Sequence, residues 1–181
     1  MHDELLLQSR IFRVVRRSYQ AADGRPLARD VVLHPGAVAV VPLVDERRIC
    51  LLRNRRPSID RTLIEIPAGT LEVGEEPAVC AARELEEETG FTAGRLEPLT
   101  AFYMSPGILS ERMHVFTAAE LKPGPAHLEA NEEIENLIVE WDEALRMIAR
   151  GEIEDGKTIA ALLFYTCCRG ALPLPAKMPS T

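Results

Sequence analysis

The most constraining feature of the chain is a set of nine spaced residues that begins at Gly69 and ends at Phe91. Five residues separate Gly69 from Glu75, and seven more lead to the segment Arg83-Glu84-Leu85-Glu86-Glu87-Glu88-Thr89-Gly90-Phe91. Even in a glutamate-rich chain, this combination arises by chance with a probability below roughly 10⁻⁵. The segment Pro77 to Thr89 is predicted to be a helix, because proline suits a first helical position and glycine suits the position just past the end.

Three glutamates of this helix are expected to share one face. At about 100° per residue, Glu84, Glu87 and Glu88 fall within an arc of about 100°. The neighbouring face, which is expected to enter the core, carries small and apolar residues: Ala78, Ala81, Ala82, Leu85 and Thr89. Adjacent like charges near a helix C-terminus are unfavourable without a compensating cation, and Mg²⁺ prefers carboxylate oxygens. The pattern favours a divalent-metal site; a solvated acidic helix face is the alternative interpretation.

The spaced residues match the Nudix hydrolase pattern GX5EX7REUXEEXGU at every position. From about Val38 to Tyr165 the chain resembles the ADP-ribose pyrophosphatase branch of that superfamily, which includes GDP-mannose hydrolases. The resemblance implies an α/β Nudix fold, an α/β/α sandwich with a mixed sheet. It also implies hydrolysis of the diphosphate bridge of a nucleoside diphosphate sugar, with Mg²⁺ as cofactor and Mn²⁺ as a substitute. In the pattern Arg83 pairs with Glu75, and these two residues are structural, as are Gly69 and Gly90.

The same resemblance implies a set of metal ligands and a catalytic base. Glu65-Ile66-Pro67-Ala68-Gly69 resembles the E-x-P-A-G segment of the branch, in which the carbonyl of the alanine position binds metal. The implied metal ligands are Ala68, Glu84, Glu87, Glu88 and Glu132. The branch often has a further glutamate two residues before the position of Glu132, where this chain has Ala130, and the identity of the base therefore stays open. The candidates for the base are Glu87, Glu129, Glu132 and Glu133.

Substrate contacts are expected from two further segments that the branch uses and from Glu111, which follows the second of them. In Arg53-Asn54-Arg55-Arg56-Pro57 the arginines suit an anionic ligand, and Arg56 stands at the matching position. Tyr103-Met104-Ser105-Pro106-Gly107 resembles the S-P-G loop that is associated with ADP-ribose hydrolysis. The residues implied in substrate binding are Arg53, Arg56, Glu65, Ser105, Pro106 and Glu111.

Three alternatives to ADP-ribose hydrolysis remain at this stage. The segment Gly151 to Thr158 resembles both GDP-mannose and ADP-ribose enzymes, so a preference for GDP-mannose stays open. A sensor that binds a nucleotide sugar without turnover is a second alternative, although a sensor need not keep all the glutamates. Gly151 to Thr158 also fits the spacing GxxxxGK[ST] of a phosphate-binding loop. This third interpretation is unfavourable, because a helix is predicted before the segment and three acidic residues would lie where phosphate must bind.

The remaining sequence predicts one compact domain with an N-terminal addition. Residues 1–36 are interpreted as an antiparallel β-hairpin over Gln8 to Leu33, residues 37–170 as the Nudix domain, and residues 171–181 as a flexible tail. The resemblance to ADP-ribose pyrophosphatases implies that the hairpin mediates a homodimer. Strands are predicted at 37–44, paired with 49–52, and at 63–66, 96–104, 113–118 and 134–141, with later helices at 142–150 and 157–169. Pro42 predicts a bulge or an unpaired edge.

Composition limits the partners of the chain. A formal net charge of −7 excludes a general nucleic-acid binder, because such binding needs many basic groups. No stretch approaches the ~18 apolar residues of a membrane span. The cysteines Cys50, Cys80, Cys167 and Cys168 lack zinc-type spacing and suit reduced thiols, so a cytoplasmic protein is expected.

Overall fold

A computed structural model describes residues 1–128 and 133–170. Within these residues the chain forms ten strands and three helices. The strands are β1 (His2–Gln8), β2 (Arg13–Gln20), β3 (Pro26–Leu33), β4 (Ala37–Pro42), β5 (Arg48–Arg56), β6 (Arg61–Glu65), β7 (Ala68–Thr70), β8 (Phe91–Tyr103), β9 (Arg112–Pro123) and β10 (Ile134–Glu140). The helices are α1 (Pro77–Thr89), α2 (Trp141–Ala149) and α3 (Gly156–Gly170).

The strands form three sheets that together give the predicted mixed α/β architecture. A mixed four-stranded sheet has the order β7-β4-β9-β8, in which β4 and β9 are parallel and the other neighbours antiparallel. An antiparallel sheet has the order β10-β5-β6. The N-terminal sheet is β1-β2-β3, so the predicted antiparallel hairpin is present and carries an additional strand, β1, that the sequence did not predict.

Strand β4 separates two hydrophobic cores, as its uninterrupted run of apolar residues requires. Ala37, Ala39 and Val41 face a core built from β5, β9, α2 and α3, whereas Val38 and Val40 face a core shared with α1. All six residues of β4 are buried. The helices therefore lie on both sides of the mixed sheet, in agreement with the predicted sandwich.

The predicted pairing of 37–44 with 49–52 is wrong. Strand β4 has β7 on one side and β9 on the other, and β5 pairs instead with β10 and β6. Both edges of β4 are thus occupied, and the predicted pairing is reduced to an isolated bridge between Leu43, just past the end of β4, and Ile49. Pro42 ends β4 beyond the stretch that pairs with β7, so its missing N–H costs no ladder hydrogen bond.

Helix α1 has the predicted bounds, but the buried face differs from the predicted one. Ala78 and Ala82 are exposed, and the buried residues are Cys80, Ala81, Leu85, Glu88 and Thr89. The buried face of α1 therefore lies closer to the glutamates than predicted, and Glu88 is itself buried. Gly90 ends the helix with a φ of 75°, and its N–H donates to the carbonyl of Glu86.

The division into residues 1–36 and 37–170 stays a prediction, and the predicted tail 171–181 lies outside the described residues. In the described part of the chain no helix is long and apolar enough to cross a membrane.

Candidate active site

Arg83 joins helix α1 to the loop that precedes it. Its Nε and Nη2 donate to the two carboxylate oxygens of Glu75 at 3.0 and 3.1 Å. The N–H of Glu72 also donates to Glu75, at 2.9 Å. These hydrogen bonds, first of all those from Arg83, lower the pKa of Glu75 to about 2. The predicted pair of Glu75 and Arg83 is thus present and fixes the loop 70–76 on the helix.

The other arm of Arg83 reaches the carboxylates that were predicted to bind metal. Nη1 donates to Glu84 at 2.7 Å and to Glu87 at 3.0 Å. The hydrogen bonds from Arg83 to Glu75 and the nearby charge of Glu84 raise the pKa of Arg83, against the effect of burial. Arg83 therefore supplies part of the positive charge that offsets the repulsion between these carboxylates, which the sequence predicted would come from divalent cations alone.

Glu84 and Glu88 approach the backbone of β7. The N–H of Ala68 donates to a carboxylate oxygen of Glu88 at 2.8 Å, and Glu88 is buried. A Cβ atom at Gly69 would overlap the carboxylate of Glu84. The glycine is therefore required by close approach, and the absence of a side chain brings Glu84 against the same short strand as Glu88.

These donors fit a hard divalent cation. The carboxylates of Glu84 and Glu88 and the backbone of Ala68 supply oxygen ligands, which Mg²⁺ and Mn²⁺ prefer. Among residues 1–128 and 133–170, no three His, Cys, Asp or Glu side chains already form a group that could hold a metal ion. The carboxylates of Glu84 and Glu87 both accept from Arg83, and Ala68 would bind a cation through its backbone.

A cleft of about 400 Å³ opens beside this strand. Its walls combine apolar side chains with charged ones, as small-molecule sites do. Its lining residues include Arg56, Glu65, Ala68, Gly69, Met104, Glu111, Asp155 and Lys157. The implied metal ligand Ala68 and the implied substrate residues Arg56, Glu65 and Glu111 are thus brought together in one cleft.

The charged floor of the cleft is a hydrogen-bonded network. Arg56 donates to both oxygens of Glu65, at 2.8 and 2.6 Å, and Lys157 donates to Glu65 and, at 3.0 Å, to Asp155. Burial raises the pKa of Glu65, but the hydrogen bonds from Arg56 and the charge of Lys157 outweigh it and leave that pKa below its usual value. Glu65 therefore holds Arg56 in place at the cleft, and its direct contact with substrate stays a prediction.

Lys157 and Asp155 were not predicted as site residues. Both belong to the segment that matched the phosphate-binding-loop spacing, and it follows α2 rather than a strand. Asp155 accepts from the N–H and, at 2.5 Å, from the hydroxyl of Thr158, which is the arrangement of a helix N-cap. The spacing of Asp155 and Lys157, two residues apart, was the sequence signal that could have indicated an ion pair. That Lys157 also contacts Glu65 is shown only by the fold.

Other predicted residues lie away from the cleft or outside the described part of the chain. Arg53 is exposed on β5, and Ser105 and Pro106 are exposed in the turn after β8; none of the three lines the cleft. Glu129 and Glu132 lie outside the described residues. On either side of them, the N–H of His127 donates to the carbonyl of Glu87 and the carbonyl of Glu133 accepts from Arg55.

Comparisons with known proteins match most of the chain. The NUDIX domain family matches residues 33–162. A Bacillus subtilis (strain 168) protein described as an ADP-ribose pyrophosphatase is 40% identical over 163 residues, which cover 89% of this chain and 88% of that protein. A Salmonella typhimurium protein described as a GDP-mannose pyrophosphatase is 35% identical over 155 residues, 84% of this chain and 78% of that protein. A solved structure described as an ADP compounds hydrolase has the same fold, with a TM-score of 0.81, 23% identity and 94% of each chain covered.

Proposed function

The chain belongs to the Nudix family of hydrolases, and from this premise we propose that it cleaves the diphosphate bridge of ADP-ribose, using Mg²⁺ or, as a substitute, Mn²⁺. The products would be AMP and ribose 5-phosphate. The observation that carries the proposal is a cleft in which Arg56 and Glu111 lie beside the strand that Glu84 and Glu88 approach. Hydrolysis of nucleoside diphosphate sugars is the activity named for the relatives described as ADP-ribose and GDP-mannose pyrophosphatases.

The residues of the chain divide the chemical work between them. Glu84, Glu88 and the carbonyl of Ala68 would hold the cation, with Glu87 and Glu132 as further implied ligands. When bound, the cation would neutralise phosphate charge and lower the pKa of a coordinated water. Arg56, fixed by both oxygens of Glu65, would face the phosphates with a pre-oriented guanidinium, which suits charge that grows in the transition state.

A carboxylate must orient or deprotonate the attacking water. Glu87 is a candidate on α1, where its side chain contacts Arg83. Glu129 and Glu132 are candidates from the segment that follows His127, whose backbone is hydrogen-bonded to Glu87. Comparing Glu87→Gln with Glu132→Gln and Glu129→Gln identifies the residue whose loss lowers kcat most.

GDP-mannose is the second candidate substrate, and the similarity to GDP-mannose pyrophosphatases favours it specifically. A sensor without turnover receives less support, because Gly69, Glu84 and Glu88 keep the close approach that a cation site requires.

A substrate panel tests the proposed function. With Mg²⁺ we expect release of AMP from ADP-ribose, or of GMP from GDP-mannose, at a kcat/KM at least about tenfold above that for dGTP or NADH. Nucleotide chromatography of the products measures this, and EDTA provides the metal-free control. Dominant hydrolysis of a triphosphate would contradict the substrate class, and tight binding of ADP-ribose without any product would support the sensor.

We also propose a homodimer formed through the N-terminal sheet. Every residue of β1 is exposed, and apolar side chains extend along β1 and the turn after it: Leu5, Leu6, Leu7, Ile11 and Phe12. Exposed apolar groups of this extent are typical of a covered surface. The mass of one chain is 20.1 kDa, and size-exclusion chromatography with light scattering should give twice that mass. Leu5→Asp should shift the measured mass toward that of the monomer. A monomeric parent protein at micromolar concentration would overturn this proposal.

A cytoplasmic location stays a prediction. It is supported by the four cysteines, Cys50, Cys80, Cys167 and Cys168, which are all unpaired as disulfides.

A further inference from the structure

Both ends of one loop line the cleft, and the loop is hydrogen-bonded to the N-terminal sheet. We call residues 104–111 the rim loop; its two ends, Met104 and Glu111, both line the cleft. The N–H of Met104 donates to the carbonyl of Glu111 at 3.2 Å, which closes the loop at its base. The end of β3 holds the loop from outside: the N–H of Val32 donates to Ile108 at 2.8 Å, and the N–H of Ser110 donates to Val32 at 2.9 Å.

The side chain of Ser110 makes a third connection at the same place. Its Oγ accepts from the N–H of His34 at 2.9 Å and donates to the carbonyl of His34 at 3.4 Å. The residue is partly buried, so water competes less for these bonds than at an exposed site. Two residues after His34, the carbonyl of Gly36 accepts from the N–H of Leu71 in the loop before α1. The junction between β3 and β4 therefore contacts both the rim loop and the loop of the metal-binding helix.

We propose that Ser110 is a positioning residue: it clamps the rim loop to His34 and thereby fixes the adjacent Glu111 at the wall of the cleft. The inference rests on the proposed function, because Glu111 is taken to contact the substrate. The N-terminal sheet would then support the active site of the same chain, whether or not the protein forms a dimer. The side chain of Ile108 in this loop is exposed, at 61%, so hydrogen bonds to β3 and His34, rather than packing of that side chain, must set the position of the loop.

Amide hydrogen exchange tests the clamp without any substrate. In Ser110→Ala, the amides of His34 and of residues 107–112 should exchange about three- to tenfold faster, because one hydrogen-bonded anchor is lost. Ser110→Thr keeps the hydroxyl and should restore slow exchange. Ser18→Ala, an exposed serine of β2 in the same sheet, is the matched control and should leave these amides unchanged. Unchanged exchange of the rim loop in Ser110→Ala would overturn the proposal.

A double-mutant cycle tests whether Ser110 acts through Glu111. Ser110→Ala should raise the KM for ADP-ribose or GDP-mannose about three- to tenfold with kcat changed less than about twofold. In a Glu111→Gln background the same substitution should add nothing, because the positioned carboxylate is already lost. A full additional rise in KM, or no effect of Glu111→Gln itself, would overturn the proposal. If the parent protein hydrolyses neither sugar, the proposed function fails, and the exchange experiment still decides the clamp.

Discussion

Replacing Glu84 or Glu88 with glutamine is expected to lower kcat by about 10²- to 10⁴-fold at saturating Mg²⁺. A carboxamide is nearly isosteric but neutral, so each change removes one negative charge from the proposed cation site. A bound cation would stabilise the charge of the transition state by several kcal/mol, and loss of a few kcal/mol of this stabilisation corresponds to the expected fall in kcat. Steady-state kinetics measures the effect, with the substrate that has the highest kcat/KM in the substrate panel.

The fold should survive both substitutions. Glutamine at position 84 can still accept from Arg83, and glutamine at position 88 can still accept from the N–H of Ala68. We expect each unfolding free energy to fall by no more than about 1–2 kcal/mol, which lowers Tm by several degrees. Glu86→Gln is the matched control, because Glu86 is exposed on the same helix and its side chain lies at a variable position of the pattern. Near-normal kcat in both variants would refute the metal-site assignment.

A measurement that does not depend on turnover separates metal binding from catalysis. Mn²⁺ is paramagnetic, so its binding to the apo protein can be titrated directly by electron paramagnetic resonance. Glu84→Gln and Glu88→Gln should both weaken Mn²⁺ binding, whereas Glu86→Gln should not. Normal Mn²⁺ affinity together with low kcat would instead place these glutamates in the orientation of water or substrate.

The elements of this chain were predictable where local chemistry determines them. The bounds of α1 follow from Pro77 and Gly90, and the burial of β4 follows from its continuous apolar run. Pairing of strands was less predictable, since the apolar run of β5 suits a neighbour of β4 and of β10 equally well. Strands β7 and β9 occupy the two edges of β4, so β5 pairs elsewhere. The hydrophobic pattern of the sequence does not show which strand takes which edge.

The site was predictable in composition but only partly in arrangement. The helical period places Glu84, Glu87 and Glu88 on one face, but it does not reveal that this face is turned inward against Ala68. The role of Glu65 depends on contacts with residues 9 and 92 positions away, Arg56 and Lys157. The contact with Arg56 depends on the pairing of β5 with β6, and the contact with Lys157 depends on where α3 begins, so neither is visible in the local pattern around Glu65. The substrate contact of Glu65 stays a prediction.

Gly69→Ala should reduce kcat by at least about a hundredfold while leaving Tm nearly unchanged. The backbone at Gly69 is outside the left-handed region, and the residue pairs with Val38 in the sheet, so alanine suits the strand itself. Its Cβ would, however, occupy the space of the Glu84 carboxylate. Because the end of a glutamate side chain moves at little cost and a paired strand does not, Glu84 must give way.

Displacement of one ligand by about an ångström is enough for a loss of this size. Gly156→Ala is the matched control, because a Cβ at the start of α3 meets no atom within 4 Å and should leave kcat unchanged. Kinetics and thermal unfolding of the two variants together decide the interpretation. Full activity in Gly69→Ala would mean that Glu84 need not approach β7 for catalysis, whereas a large fall in Tm would mean that the strand moves instead of the side chain.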